Sequence, residues 1–279
     1  MHRRAGGSKT RRSGFAGVLL ALSLLFVPSA GASTVIRTGG GTVFQLIVSA
    51  LSIDYRKVNP NVTVMVSGGG SGAGISGAAR GSLDIGLSSR DRLPSDPAGL
   101  KFIPVGREAF AIVVNPKNPV TNFTHAQIKA ILTGQTTSWG DVGWANGGPI
   151  QVYSRIPTSG SYVNCKRFFT DDQEFAANAP QAASHGITRV DIGRDKRGIA
   201  CIALSYLTTA HGTIRGVAIA GVAPTLRNAA SGRYPYINNL YFVTNGEPQG
   251  PVADYIAWVL SAPAQCKIMV LYALPLRRC

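Results

Sequence analysis

Acids are scarce in this chain of 279 residues: 13 Asp and Glu stand against 28 Lys and Arg, a formal net charge of +15. No two carboxylates are spaced for acid–base work, and Asp171-Asp172 reads as a solvated turn at a helix end. Charged residues make up only 15% and apolar ones 45%, which excludes intrinsic disorder for the bulk of the chain. Cysteines number four and none forms a CxxC pair, so zinc-site spacing is missing. No apolar run approaches the roughly 20 residues needed to span a bilayer. No helical repeat or heptad persists over three periods. Glycine, in contrast, is abundant at 33 residues, clustered and without a three-residue period, which excludes collagen. A glycine-rich globular chain of one large or two small domains is what these numbers describe.

The first 32 residues have the composition of an export signal. Arg3, Arg4, Lys9, Arg11 and Arg12 precede an apolar run of about 13 residues from Phe15 to Val27, and Ala30-Gly31-Ala32 has the small-x-small form of a cleavage site. Thr10-Arg11-Arg12-Ser13-Gly14-Phe15 is a degenerate twin-arginine pattern with its Phe one place late. With no Cys at the cleavage site, a lipid-anchored form is not expected, and cleavage after Ala32 leaves a periplasmic or secreted protein. The segment carries five cations and no acids, so its removal lowers the net charge from +15 to +10. The remaining cations are scattered singly, without interleaved aromatics, which argues against nucleic acid as partner. A diffuse positive field of this kind favours encounter with small anions.

Cys165, Cys201, Cys266 and Cys279 all follow the signal, and four thiols in an exported chain imply two disulfides. Three connectivities are open; proximity in sequence favours Cys266–Cys279, which leaves Cys165–Cys201.

Strand and helix patterns alternate along the chain. Val35–Arg37 reads as a strand, followed by a helix with Phe44, Ile47, Val48, Leu51, Tyr55 and Val58 at a 3.6-residue period. Val62, Val64 and Val66 alternate as in a strand, and Asp84–Leu87 is another. Phe110–Val114 is apolar throughout, as in a strand buried on both faces. Thr124 and Gln127 form a capping box for a helix that Gly134 ends. Ile150–Tyr153, Ile199–Leu204 and Leu240–Thr244 complete the strands, and Pro251 opens a late helix. The class is α/β, with parallel sheets flanked by helices and a ligand site at the strands' carboxyl ends.

Three Gly/Ser turns sit where a strand passes into a helix, at Thr42, Ser71 and Ser159. Each presents unpaired helix N–H groups, the positive end of a dipole and a hydroxyl, which together cradle an oxyanion. Arg155, four residues before Ser159, adds a planar fork for two oxygens of a tetrahedral anion. Other readings of these turns are weaker. Gly72-Ala73-Gly74-Ile75-Ser76-Gly77 matches the dinucleotide pattern but runs into the helix with no clear acid about 20 residues on. Gly69-Gly70-Ser71-Gly72-Ala73 is one residue short of a hydrolase elbow, and His125, His185 and His211 stand in no triad motif and read as surface or structural residues.

These turns resemble a family. Gly39-Gly40-Gly41-Thr42-Val43-Phe44, Gly68-Gly69-Gly70-Ser71-Gly72-Ala73-Gly74-Ile75, Asp84-Ile85-Gly86-Leu87-Ser88-Ser89-Arg90 and Arg155…Ser159-Gly160-Ser161 fall in the order seen in periplasmic phosphate-binding proteins. Ile131-Leu132-Thr133-Gly134…Ser138-Trp139, Tyr234-Pro235 and the segment from Tyr255 to Pro263 match secondary landmarks of that family. The resemblance implies a two-lobed flytrap, with residues 33–113 plus 240–279 as one lobe and 114–239 as the other. It implies capture of inorganic phosphate for an ABC permease by a monomer that needs no cofactor and catalyses nothing. A permease-free oxyanion scavenger on the same fold and an exported serine hydrolase using Ser71 are the alternatives. By position, Thr42, Val43, Ser71, Ser89, Arg155, Ser159, Gly160 and Ser161 form the expected site. Ser161 stands where the family usually has Thr. Ser89 replaces an Asp that accepts the proton of hydrogen phosphate, with Asp91 or Asp84 as the nearby carboxylates that could stand in.

Overall fold

The computed structural model describes residues 33–271 and 273–277, together with 1, 2, 6 and 7. The signal-peptide reading and Cys279 therefore fall, those four positions apart, outside the described residues. No helix among the described residues is long and apolar enough to cross a membrane.

The chain opens with β1 (Thr34–Gly40), α1 (Thr42–Val58), β2 (Val62–Ser67), α2 (Gly70–Ala79) and β3 (Ile85–Ser88). A long strand follows, β4 (Leu100–Val114), then β5 (Asn122–Phe123), α3 (His125–Leu132), β6 (Gln151–Arg155) and α4 (Gly160–Phe169). Next come β7 (Gln181–Ala182), α5 (His185–Arg194), β8 (Gly198–Ala203) and α6 (Leu204–Thr208). The chain ends with β9 (Arg215–Gly216), β10 (Ala218–Ile219), α7 (Leu226–Ala230), β11 (Ile237–Asn245), α8 (Gly250–Val259) and α9 (Ala262–Val270).

The main sheet runs β2-β1-β3-β11-β4-β8-β6-β7, with β9 on β4. Its flanks are parallel, β2-β1-β3 on one side and β8-β6-β7 on the other, as alternating strands and helices require. Every antiparallel pair of this sheet involves β4 or β11, the strands that carry the chain between the two flanks. β4 pairs with β11 from Leu100 to Ala109 and with β8 from Phe110 to Val114, so one strand serves both halves. The Phe110–Val114 stretch is fully buried on both faces: Phe110, Ile112 and Val114 join Ile36, Phe44, Phe123, Trp139 and Phe242 in one core cluster, and Ala111 and Val113 join Ile192 and Ile202 in another, each large side chain contributing about 1.5–3 kcal/mol.

Cys165 of α4 and Cys201 of β8 form a disulfide, one of the two pairs expected from the sequence. Cys165 lies one turn after Ser161, so the bond braces the helix whose first turn belongs to the site described below. Cys266 is not a free thiol.

β4 also carries a buried carboxyl. Glu108 Oε1 accepts from the Ser205 amide at 3.1 Å, while Oε2 has no partner. Burial pushes its pKa up to about 8, against smaller opposing pulls from hydrogen bonds at Ser205. A carboxyl whose folded pKa exceeds its unfolded value of 4.5 holds more protons folded than unfolded between the two, so stability falls as pH rises through that window. The melting temperature of the wild type relative to Glu108→Gln is expected to fall by roughly 5–10 °C between pH 5 and 8, the comparison cancelling the opposite contribution of other buried groups such as His185. Calorimetric melts of both proteins across that range check this, and parallel curves would contradict it.

Candidate functional site

Four strands end at one place, and the segments that leave their carboxyl ends form the site. At the end of β1, Gly40 adopts φ +135°, and a side chain there would lie 2.4 Å from the Leu87 carbonyl. Glycine is what lets this turn close on the end of β3. Thr42 and Val43 then open α1, offering amides that have no acceptor within the helix. Thr42 is half-buried; the Val43 side chain belongs to the core, so only its backbone is available.

α2 starts from Gly69 at φ +123° and places Ser71, fully buried, in its first turn. Ser89, just beyond β3, donates its amide to Ser71 Oγ at 3.0 Å, and the two hydroxyl oxygens are 3.3 Å apart. The Ser89 carbonyl accepts from Asn164 Nδ2 at 2.5 Å and from Asn238 Nδ2 at 3.1 Å, so this residue is pinned from both sides. On α4, Ser159 is the N-cap and its Oγ accepts the Ser161 amide at 3.2 Å.

Gly160 shows how closely these turns meet. A methyl group there would lie 2.3 Å from Ser71 Oγ and 2.6 Å from Ser89 Oγ, and one at Gly41 would lie 3.4 Å from Ser71 Oγ. The Gly72 amide donates to the Thr158 carbonyl at 3.1 Å, and the Tyr206 hydroxyl donates to the Thr42 carbonyl at 3.3 Å. Gly41, Ser71, Ser89 and Gly160, far apart in sequence, are thus brought together.

Arg155 ends β6 and is 2% exposed. Its Nε donates to the Ala182 carbonyl at 2.9 Å and its Nη2 to the Ala183 carbonyl at 2.8 Å; Nη1 is buried with no partner. Burial pushes the guanidinium pKa down to about 10, which still leaves it charged at neutral pH. A buried cationic N–H without an acceptor is costly unless something fills it. The first turns of α1, α2 and α4 carry no acid, so their positive ends are uncompensated.

The nearby carboxylates are committed elsewhere. Asp84 takes Arg37, with Nη2 at 2.8 Å, and Asp96 takes both terminal nitrogens of Arg90 at 2.7 Å. Asp91 accepts from Arg167 at 2.6 Å and Tyr241 at 2.7 Å; partial burial raises its pKa, but these bonds outweigh it and hold the carboxyl below its ordinary range. Neither Asp84 nor Asp91 stands in for the missing Asp at position 89.

The sequence reading missed His185, Asn164, Asn238 and Tyr206. His185 is fully buried, which fits the structural and not the surface alternative, and its Nε2 lies 2.7 Å from Ser161 Oγ. Its ring packs on Tyr206 with centroids 5.0 Å apart. A signal existed: Ser184 caps α5 directly after the short β7, a fourth strand–Ser–helix turn, with His185 next to the cap. Asn164 follows Gly160 by one helical turn, so it shares that face of α4.

The competing motifs have structural roles. A methyl on Gly74 would lie 2.6 Å from the Gly39 carbonyl, so the glycines of α2 let it pack on β1 and β3. Ser71 bonds Ser89 rather than a histidine. Ser161 and His185 form half of a triad, but Nδ1 of that ring has no carboxylate to orient it. A wider basin of about 740 Å³, with Lys117, Arg189, Arg194 and Lys196 on its walls, includes none of the site residues. Amides, hydroxyls and one buried guanidinium without a carboxylate are groups suited to holding an anion.

Known proteins resemble the chain over most of its length. Residues 27–263 match the model of the PBP superfamily domain. The chain is similar to the phosphate-binding protein PstS of Bacillus subtilis, 27% identical over 241 residues that cover 85% of this chain and 79% of the Bacillus protein. Among solved structures it resembles a Clostridium perfringens protein with bound phosphate, assigned as a phosphate ABC transporter substrate-binding protein. That likeness has TM-score 0.81 and 25% identity, covering 88% of this chain and 100% of the other. An ABC-type phosphate transport receptor from Vibrio cholerae is similar at TM-score 0.70 and 25% identity, covering 86% and 99%.

Proposed function

The chain belongs to the PBP superfamily, and from that premise we propose that it is an exported solute-binding protein that captures inorganic phosphate and delivers it to an ABC permease. The observation that carries this reading is the buried Nη1 of Arg155, which has no protein acceptor. The likeness to phosphate-binding relatives and the convergence of Ser71, Ser89 and Gly160 support it. Thr42, Val43, Ser71, Ser89, Arg155, Ser159, Gly160 and Ser161 form the phosphate site. The lobes comprise 33–113 plus 240–279 and 114–239, with β4 and β11 crossing between them. The protein acts as a monomer outside the cytoplasm after cleavage at Ala32, and makes and breaks no bond.

Several charge-assisted hydrogen bonds of roughly 1.5–3 kcal/mol each support micromolar or tighter binding, about −8 kcal/mol, after the costs of association. With serine at position 89 and the nearby carboxylates engaged, the site has hydroxyls where the family's Asp would repel a fully ionised anion. Titration calorimetry is expected to show phosphate binding with weak discrimination against sulfate, and Ser89→Asp to raise the phosphate preference at least tenfold. Wild type that excludes sulfate by more than a thousandfold, about 4 kcal/mol, would overturn this account of Ser89. No heat with either anion would overturn the function itself.

A further inference from the structure

His185 lies outside the expected site, yet it is the side chain that touches Ser161. We propose that His185 is a positioning residue of the anion site: its Nε2–H donates to Ser161 Oγ, which leaves the single hydroxyl proton of Ser161 for the bound oxyanion. This rests on the anion-binding reading above and adds to it a residue that sets the direction of one site hydrogen bond.

The direction follows from what surrounds the ring. Ser161 Oγ, 2.7 Å from Nε2, has one proton and two lone pairs, and it either donates to the ring or accepts from it. The other nitrogen, Nδ1, is buried without a partner. A lone pair left unpaired there is cheaper than an unpaired N–H, because an orphaned donor is the rarer and costlier defect. That places the ring proton on Nε2, so Ser161 accepts from the ring and its own proton points elsewhere.

The charged and titratable groups facing the ring agree. Arg155 at the end of β6 acts on it electrostatically and Tyr206 of α6 packs on its face. Burial, then the Arg155 charge, holds the imidazole well below its ordinary pKa, so it stays a neutral ring with a single proton. Of its two nitrogens, the one with a partner is the one that faces a site hydroxyl. Tyr206 also donates to the Thr42 carbonyl, so the ring that packs on the imidazole is itself tied to the first turn.

The test combines spectroscopy with two variants of the purified full chain and inorganic phosphate as probe. Long-range ¹H–¹⁵N NMR on histidine-labelled wild type is expected to find the His185 proton on Nε2 with phosphate bound. His185→Leu, which keeps bulk but no donor, is expected to weaken phosphate at least tenfold with its melting temperature within a few degrees of wild type. His185→Gln, whose amide restores a donor, is expected to recover affinity to within about threefold. A proton on Nδ1 would overturn the proposal, whether or not the variants fold, and so would wild-type affinity in His185→Leu. A wild type that binds neither phosphate nor sulfate would overturn the functional reading and this role with it, so the two failures are told apart.

Discussion

Arg155→Ala is expected to weaken phosphate binding by at least tenfold, about 1.4 kcal/mol. Among the site residues this side chain alone carries a full charge, and its guanidinium is held in place before any ligand arrives. Nε and Nη2 are spent on the carbonyls of Ala182 and Ala183, so the loop after β7 fixes the plane of the fork. Nη1 is left over, and a charge-assisted bond from it to an oxyanion in a dry setting is among the strongest the protein can make. The substitution also strands the Ala183 carbonyl, while that of Ala182 keeps the Ile156 amide, so a loss of stability accompanies the loss of affinity, and melting must be followed alongside calorimetry. Arg155→Lys separates the effects: it keeps a charge on a flexible stem but cannot hold both carbonyls while reaching the anion. Intermediate affinity for Lys and near-complete loss for Ala is the expected order. Unchanged binding in Arg155→Ala would remove this residue from the site.

Much of the scaffold was legible because it is written in local patterns. The buried residues of α1 are Val43, Phe44, Ile47, Val48, Leu51 and Tyr55, the last packed on Tyr255 and Trp258 of α8, while Val58, at the end of the apolar stripe, is exposed. Both bonds of the Thr124–Gln127 capping box are present. What was not legible depends on pairing at a distance. β4 begins at Leu100, ten residues before its apolar stretch, because Lys101, Pro104, Arg107 and Glu108 break the pattern. Pro104 is tolerated there at a register shift against β11, between Leu240 and Tyr241. The site divides in the same way. The Gly/Ser turns and Arg155 could be found from spacing, whereas His185 and Asn238 are single polar residues whose partners lie 24 and 149 positions away. The Ser184 cap marks the turn that holds His185 but not its partner, and nothing local marks Asn238, since their roles arise only when the sheet brings its carboxyl ends together.

That convergence makes Gly160→Ala the sharper test of the site's geometry. Gly160 does not need glycine for its backbone, and alanine is the better helix former, so α4 taken alone should gain slightly. The added methyl would nevertheless sit 2.3 Å from Ser71 Oγ, 2.6 Å from Ser89 Oγ and 3.0 Å from Ser71 Cβ. Neither serine can retreat easily. Ser71 is fully buried in the first turn of α2, and the Ser89 carbonyl is held by Asn164 and Asn238. The turns must therefore move apart, carrying the amides and hydroxyls of α4 away from those of α2 at the distances where binding is most sensitive to position. Phosphate affinity is expected to fall at least tenfold while the melting temperature stays within a few degrees of wild type, a combination that overall destabilisation would not produce. Combining Gly160→Ala with Ser71→Ala should give less than the sum of the two losses, because the second substitution removes one of the atoms that the methyl displaces. Calorimetry on the two single variants and the double variant supplies the cycle. Full affinity in Gly160→Ala would show that α2 and α4 need not touch when phosphate is held, and the contact of Ser71 and Ser89 with Gly160 would lose its place in the binding mechanism.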